Sequence, residues 1–134
     1  MLSGSCLCGG VRYEAEGPLV GMARCHCVQC RKASGAEFAT NGSVKKGSFR
    51  VTAGEQLLGR WQSSPGQFRV FCGRCGSPLF KESANRPHEV RLRLGCLDTE
   101  QSEKPLLHVF VSEKPSWSEI ADGLPQYERL PTAR

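Results

Sequence analysis

The sequence predicts a mainly β, single-domain protein with few short helical turns, held together by metal-bound cysteines as well as by its core. Three observations carry this. Several short segments alternate apolar and polar residues, helical periodicity is confined to a turn or two, and eight cysteines fall in closely spaced groups. At 134 residues the chain has the length of one domain, so residues 1–134 read as a single unit. Hydrophobic residues make up 39% and that figure includes the eight Cys, which leaves a thin aliphatic and aromatic core. Metal ligation would supply the stabilisation that such a core lacks.

Taken in order, residues 11–16 (Val-Arg-Tyr-Glu-Ala-Glu) alternate and read as a half-buried strand. Residues 28–34 allow one or two helical turns. Residues 49–52 and 67–71 read as further strands, the second following the joint Ser64-Pro65-Gly66. Residues 89–94 give the cleanest alternation, with Val90, Leu92 and Leu94 on one face, and residues 106–111 form the last strand. Pro115 suits the start of a second helical turn over residues 116–121. The tail from Glu113 to Arg134 keeps Trp117, Ile120, Leu124 and Tyr127, which predict that it docks on the domain.

The cysteines fall as Cys6-x-Cys8, Cys25-x-Cys27-x-x-Cys30, Cys72-x-x-Cys75 and an isolated Cys96. Disulfides inside such pairs would be badly strained, whereas thiolates so spaced converge on one cation. Cys72-Gly73-Arg74-Cys75-Gly76 has the form of a zinc knuckle, with Gly76 supplying a positive φ after the turn. In an extended segment Cys6 and Cys8 point the same way, and they complete a closed four-thiolate site with a structural role. Cys25, Cys27 and Cys30 offer three thiolates. Zinc takes four ligands, so the fourth position goes to another residue or to water or substrate, which is the arrangement of a catalytic zinc.

Several alternatives stay open at this level. Cys96 or His26 could close the second site, although His26 would point away from it in an extended segment. Cys27-x-x-Cys30 could be a redox dithiol, but the βαβ context for one is missing. His88 reads as a surface turn residue and His108 as a packed strand histidine, which leaves His26 as the histidine with a claim on the site, as acid, base or anion contact. Arg24, Arg31 and Lys32 flank the cysteines and could meet carboxylates of a substrate. Iron would satisfy four thiolates as well as zinc.

Charge excludes little. The formal +5 comes from 18 Lys and Arg against 13 Asp and Glu, and thiolates binding two zinc ions would lower it. The basic residues are dispersed, with few aromatics between them, which argues against nucleic acid as a partner. No stretch approaches a membrane span, and the first six residues lack the basic and apolar parts of a secretory signal, so a cytoplasmic protein is expected.

Three segments together resemble the glutathione-dependent formaldehyde-activating enzymes, a family that includes centromere protein V-like proteins. They are Gly4-Ser5-Cys6-Leu7-Cys8-Gly9-Gly10-Val11-Arg12-Tyr13, Cys25-His26-Cys27-Val28-Gln29-Cys30-Arg31-Lys32-Ala33-Ser34-Gly35 and Phe71-Cys72-Gly73-Arg74-Cys75-Gly76-Ser77-Pro78-Leu79. The tail adds His108-Val109-Phe110-Val111 and the run Trp117-Ser118-Glu119-Ile120-Ala121-Asp122-Gly123-Leu124-Pro125. The resemblance implies an Mss4-like β-tent fold with two zinc ions. It implies Cys6, Cys8, Cys72 and Cys75 as ligands of a structural zinc, Cys25, Cys27 and Cys30 as ligands of a second, exchangeable zinc, and Cys96 as a buried thiol. It implies glutathione and formaldehyde, or a similar small thiol and small aldehyde, as substrates of a carbon-sulfur lyase or synthase. A non-catalytic zinc module for a protein or nucleic-acid partner, or a zinc or thiol sensor, is the competing expectation.

Overall fold

The computed structural model describes residues 1–131; the last three residues of the tail lie outside it. Its elements in chain order are β1 (Leu2–Ser5), β2 (Arg12–Ala15), β3 (Val20–Cys25), α1 (Val28–Ser34), β4 (Ala39–Lys45) and β5 (Arg50–Ala53). There follow β6 (Leu58–Ser64), β7 (Gln67–Cys72), β8 (Pro78–Ser83), β9 (Glu89–Arg93) and β10 (Leu107–Val109), with single 3-10 turns at several joints. The chain is mainly β, as the sequence predicts. A three-stranded sheet runs β1-β2-β5 and a seven-stranded sheet runs β10-β3-β4-β9-β8-β7-β6, antiparallel throughout except for β10 against β3.

Alternation along the strands decides what fills the space between the sheets. On the large sheet Val70 pairs with Phe80, Phe80 with Leu92, and Val44 with Val90, and all five are buried. From the small sheet Leu2, Tyr13 and Ala15 meet them, with Val11 just before β2. Burial of Tyr13, Leu79 and Leu92, each exposed by 1% or less, contributes about 2 kcal/mol apiece. A second apolar nest of Cys25, Cys30, Ala39 and Val109 lies apart from this core, under α1.

Five strands carry no alternation legible in sequence: β1, β3, β4, β6 and β8. β4 shows why, since Asn41, Gly42, Ser43 and Val44 are all buried and the polar residues among them are satisfied from β9. The last strand is shorter than expected because Phe110 adopts a left-handed φ of 55° and breaks the extended run. The helical turn expected over residues 116–121 does not form. Only the turn that returns Ser118 N–H to Pro115 O is made, and Lys114 Nζ takes the Ser118 carbonyl that a helix would need. The described tail docks through backbone instead, with His108 N–H to Pro125 O at 2.9 Å and Tyr127 N–H to His108 O at 3.0 Å, while Trp117 stays 69% exposed. No helix among the described residues is long and apolar enough to cross a membrane.

Candidate metal centres

Two turns form the first sulfur group. β7 ends at Cys72, Gly76 at φ +81° sends its N–H back to Cys72 O at 2.7 Å, and Cys75 is returned beside Cys72. The Cys6 to Gly9 segment is a turn, closed by Gly9 N–H to Cys6 O at 2.9 Å, rather than the extended segment expected. That turn brings Cys6 and Cys8 sulfurs to 3.5 Å, and Cys8 lies 3.9 Å from Cys72. All four Sγ atoms lie within 4.8 Å of one another. Two of the four are favoured as thiolates by their surroundings: the Ser77 hydroxyl and amide hold Cys75 down to about 5, and the Gly10 amide and the Arg74 guanidinium lower Cys8, whereas Cys72 is raised.

The second group sits where β3 gives way to α1. Cys25 is the last residue of β3, Cys27 is the N-cap of α1 and Cys30 is one turn into it, so strand end and helix start bring the three Sγ atoms within 4.8 Å. Cys30 N–H donates to Cys27 Sγ at 3.2 Å, and Gly35 ends the helix in a left-handed cap. Sulfur contacts from Cys25 and Cys27 hold the Cys30 thiol well below its ordinary value, and the guanidiniums of Arg93 and Arg69 add to this. Cys25 and Cys30 are buried and Cys27 is half-buried. No fourth His, Cys, Asp or Glu joins the group among the described residues.

Cys96 is not its missing member. Its thiol donates to Pro78 O at 3.2 Å and it packs on the main core, where burial pushes the thiol up. His26 is 1% exposed and turns away from the sulfurs, as expected: its Nε2 lies 2.8 Å from His108 Nδ1, and Phe38 covers its ring. His108 in turn places Nε2 2.9 Å from Asp122 Oδ1. His88 is an exposed turn residue. Arg24 is taken by Asp122 at 2.7 Å, Arg31 donates to Glu113 O at 3.3 Å, and Lys32 is exposed. The cations that do reach the three-cysteine group are Arg69 and Arg93, each 3.9 Å from Cys30 Sγ, and they are the two arginines buried among the described residues. They occupy the polar positions of alternating strands, which in sequence read as a solvent face. A pocket of about 370 Å³ beside Phe49, Phe80, Val90, Lys46, Arg60 and Glu82 holds none of these residues.

Comparison with known proteins bears on the same residues. The profile of the glutathione-dependent formaldehyde-activating enzymes matches residues 1–113, a span that holds both sulfur groups. The chain belongs to that family. A candidate glutathione-dependent formaldehyde-activating enzyme of Halomonas elongata is 33% identical over 129 aligned positions, covering 90% of this chain and 81% of that one. A crystal structure of a Rhodobacter sphaeroides protein superimposes with a TM-score of 0.64 at 24% identity, over 75% of this chain and 91% of that one, and shares the fold. For this family member, the donor sets fit metal: one closed group of four sulfurs and one open group of three can each hold an ion.

Proposed function

We propose that this protein makes and breaks the carbon-sulfur bond between glutathione, or a similar small thiol, and formaldehyde or a similar small aldehyde, at the group formed by Cys25, Cys27 and Cys30. The carrying observation is the count of sulfurs: three converge in a small apolar nest and no fourth ligand joins them among the described residues. Cys6, Cys8, Cys72 and Cys75 hold the structural zinc in this reading, and the three-cysteine group holds the second. A zinc ion bound there supplies an open Lewis-acidic position that keeps a substrate sulfur as thiolate.

The chain's own residues set the geometry. The N-cap bond from Cys30 N–H fixes Cys27, and the buried His26–His108 contact fixes the backbone between Cys25 and Cys27, which makes His26 a positioning residue. In the forward reaction the sulfur lone pair forms the bond to the aldehyde carbon and the C=O π pair moves to oxygen. That oxygen takes up the proton the thiol gave up, yielding the hydroxymethyl thioether; the reverse reaction retraces these moves. Proximity and thiolate formation supply the rate gain. In this reading a distal carboxylate of the substrate falls to Lys32, exposed two residues beyond Cys30, with Arg31 next to it, whereas Arg24 is already paired. The family's name supports the choice of substrates, and eight free cysteines suit a reducing cytoplasm.

NMR exchange spectroscopy on glutathione and formaldehyde, with the uncatalysed exchange subtracted, tests the reading. Cys27→Ser is expected to abolish the enzymatic exchange while the far-UV spectrum stays that of the wild type. Wild-type exchange rates in Cys27→Ser would contradict it.

A further inference from the structure

The face of the large sheet turned away from the core carries a row of cations. Arg69 on β7 lies opposite Lys81 on β8, Lys81 lies opposite Arg91 on β9, and Arg93 stands two residues further along β9 opposite Asn41. Period two places them all on one face, with Val70, Phe80 and Leu92 on the other. Arg91 is engaged by Ser43 Oγ and Gly21 O. Arg69 and Arg93 are different, being only 8% and 5% exposed.

A guanidinium is costly to bury unless its donors are met. Arg93 Nη1 donates to Asn41 Oδ1 at 2.6 Å, and Arg69 Nη2 reaches Gln29 Oε1 at 3.4 Å. Arg69 Nε and Nη1 and Arg93 Nη2 are buried with no partner in the protein. None of the ion pairs among the described residues involves Arg69, Lys81 or Arg93. Three thiolates around a divalent ion carry one net negative charge, so these three cations leave a positive excess beside Cys30. Burial and the guanidiniums of Arg69 and Arg93 lower the ammonium of Lys81, against an opposing pull from the Cys30 and Cys25 sulfurs.

We infer that Arg69 and Arg93 form a carboxylate-binding subsite beside Cys30, which takes a carboxylate borne by the thiol that the three-cysteine group holds. The inference rests on the thiol reading of the three-cysteine group. Two guanidinium forks match a carboxylate in geometry and charge, and their 3.9 Å separation from Cys30 Sγ keeps the carboxylate close to the sulfur position.

Calorimetric titration of the zinc-loaded protein with mercaptoacetate and with 2-mercaptoethanol, thiols of similar size, tests this. The wild type should prefer mercaptoacetate by about tenfold or more, the range of a charge-assisted contact. Arg69→Gln and Arg93→Gln should each erase most of that preference while keeping 2-mercaptoethanol binding and zinc content, and Arg69→Lys should restore part of it. Equal affinities in the wild type, or an undiminished preference in both Gln variants, would overturn the subsite. If the wild type binds neither thiol, the thiol reading falls and acetate decides the subsite by itself. Movement of the Arg69 Nε–H resonance on adding acetate to the wild type would support it, and no movement would overturn it; the same titration decides if a variant loses its zinc.

Discussion

His26 Nε2 lies 2.8 Å from His108 Nδ1, in the buried backbone that joins Cys25 to Cys27. His108 turns its other nitrogen to the Asp122 carboxylate, at 2.9 and 3.0 Å, so the hydrogen-bond network assigns the proton on that nitrogen. His108 Nδ1 is then an acceptor and His26 donates from Nε2. Burial lowers the basicity of His26, which keeps its ring neutral. The strand-to-helix joint that carries the open sulfur group is thus braced by the docked tail.

Removing the brace has a definite cost. His108→Phe orphans the buried His26 donor, so urea unfolding should show a loss of about 1–3 kcal/mol. A change within about 0.5 kcal/mol would show that the pair contributes nothing beyond ordinary surface contacts.

Asp122 gives a pH signature. The His108 hydrogen bond holds its carboxyl below the usual carboxylate range in the folded state, helped by the Leu124 amide and Arg24. A depressed folded value means stability that is present above the unfolded value of about 3.9 and lost as pH falls through the folded value. The urea midpoint should therefore fall more steeply between pH 5 and pH 2 in the wild type than in Asp122→Asn. Equal slopes would remove Asp122 as the origin.

The two sulfur groups should respond differently to mutation. Cys72→Ser or Cys75→Ser opens the group that ties the β7–β8 turn to the β1–β2 turn, and a thermal midpoint lower by about 10 °C or more is expected from losing about 3 kcal/mol. Cys27→Ser should lower it by only a few degrees, because that group lies under α1 and outside the main core. Calorimetry that found the reverse order would exchange the structural and open assignments.

Tyr13 offers a test of the core alone. It is 1% exposed, and its hydroxyl has no hydrogen-bond partner in the protein, so burial raises the phenol's pKa and leaves the group unpaid for by any contact. Tyr13→Phe should be neutral or stabilising by about 1 kcal/mol in urea unfolding. A loss of 2 kcal/mol or more would show that the hydroxyl is satisfied.

What the sequence made legible divides along physical lines. The spacing of the cysteines reported both sulfur groups, because ligand convergence is a local property of turns and of a helix start. The alternation of residues 89–94 reported β9 and its core face. The opposite face carried no such signal: alternation alone gives Arg91 and Arg93 a solvent face, whereas Arg93 is buried beside Cys30 of α1. Arg69 was hidden in the same way on β7. Asp122 escaped notice because it lies in the tail, outside any strand, and its tie to His108 on β10 exists only once the tail has docked. β4 was illegible because its polar residues are buried and paired, which erases the period-two signal.

The most direct test of the central claim is native mass spectrometry of the purified protein with and without glutathione, since one spectrum counts metal ions and bound thiol together. The account predicts two zinc ions and one bound glutathione in the wild type, with the glutathione absent and the four-cysteine zinc retained in Cys27→Ser. Two zinc ions with no glutathione bound at large excess, or glutathione bound equally well by Cys27→Ser, would contradict it.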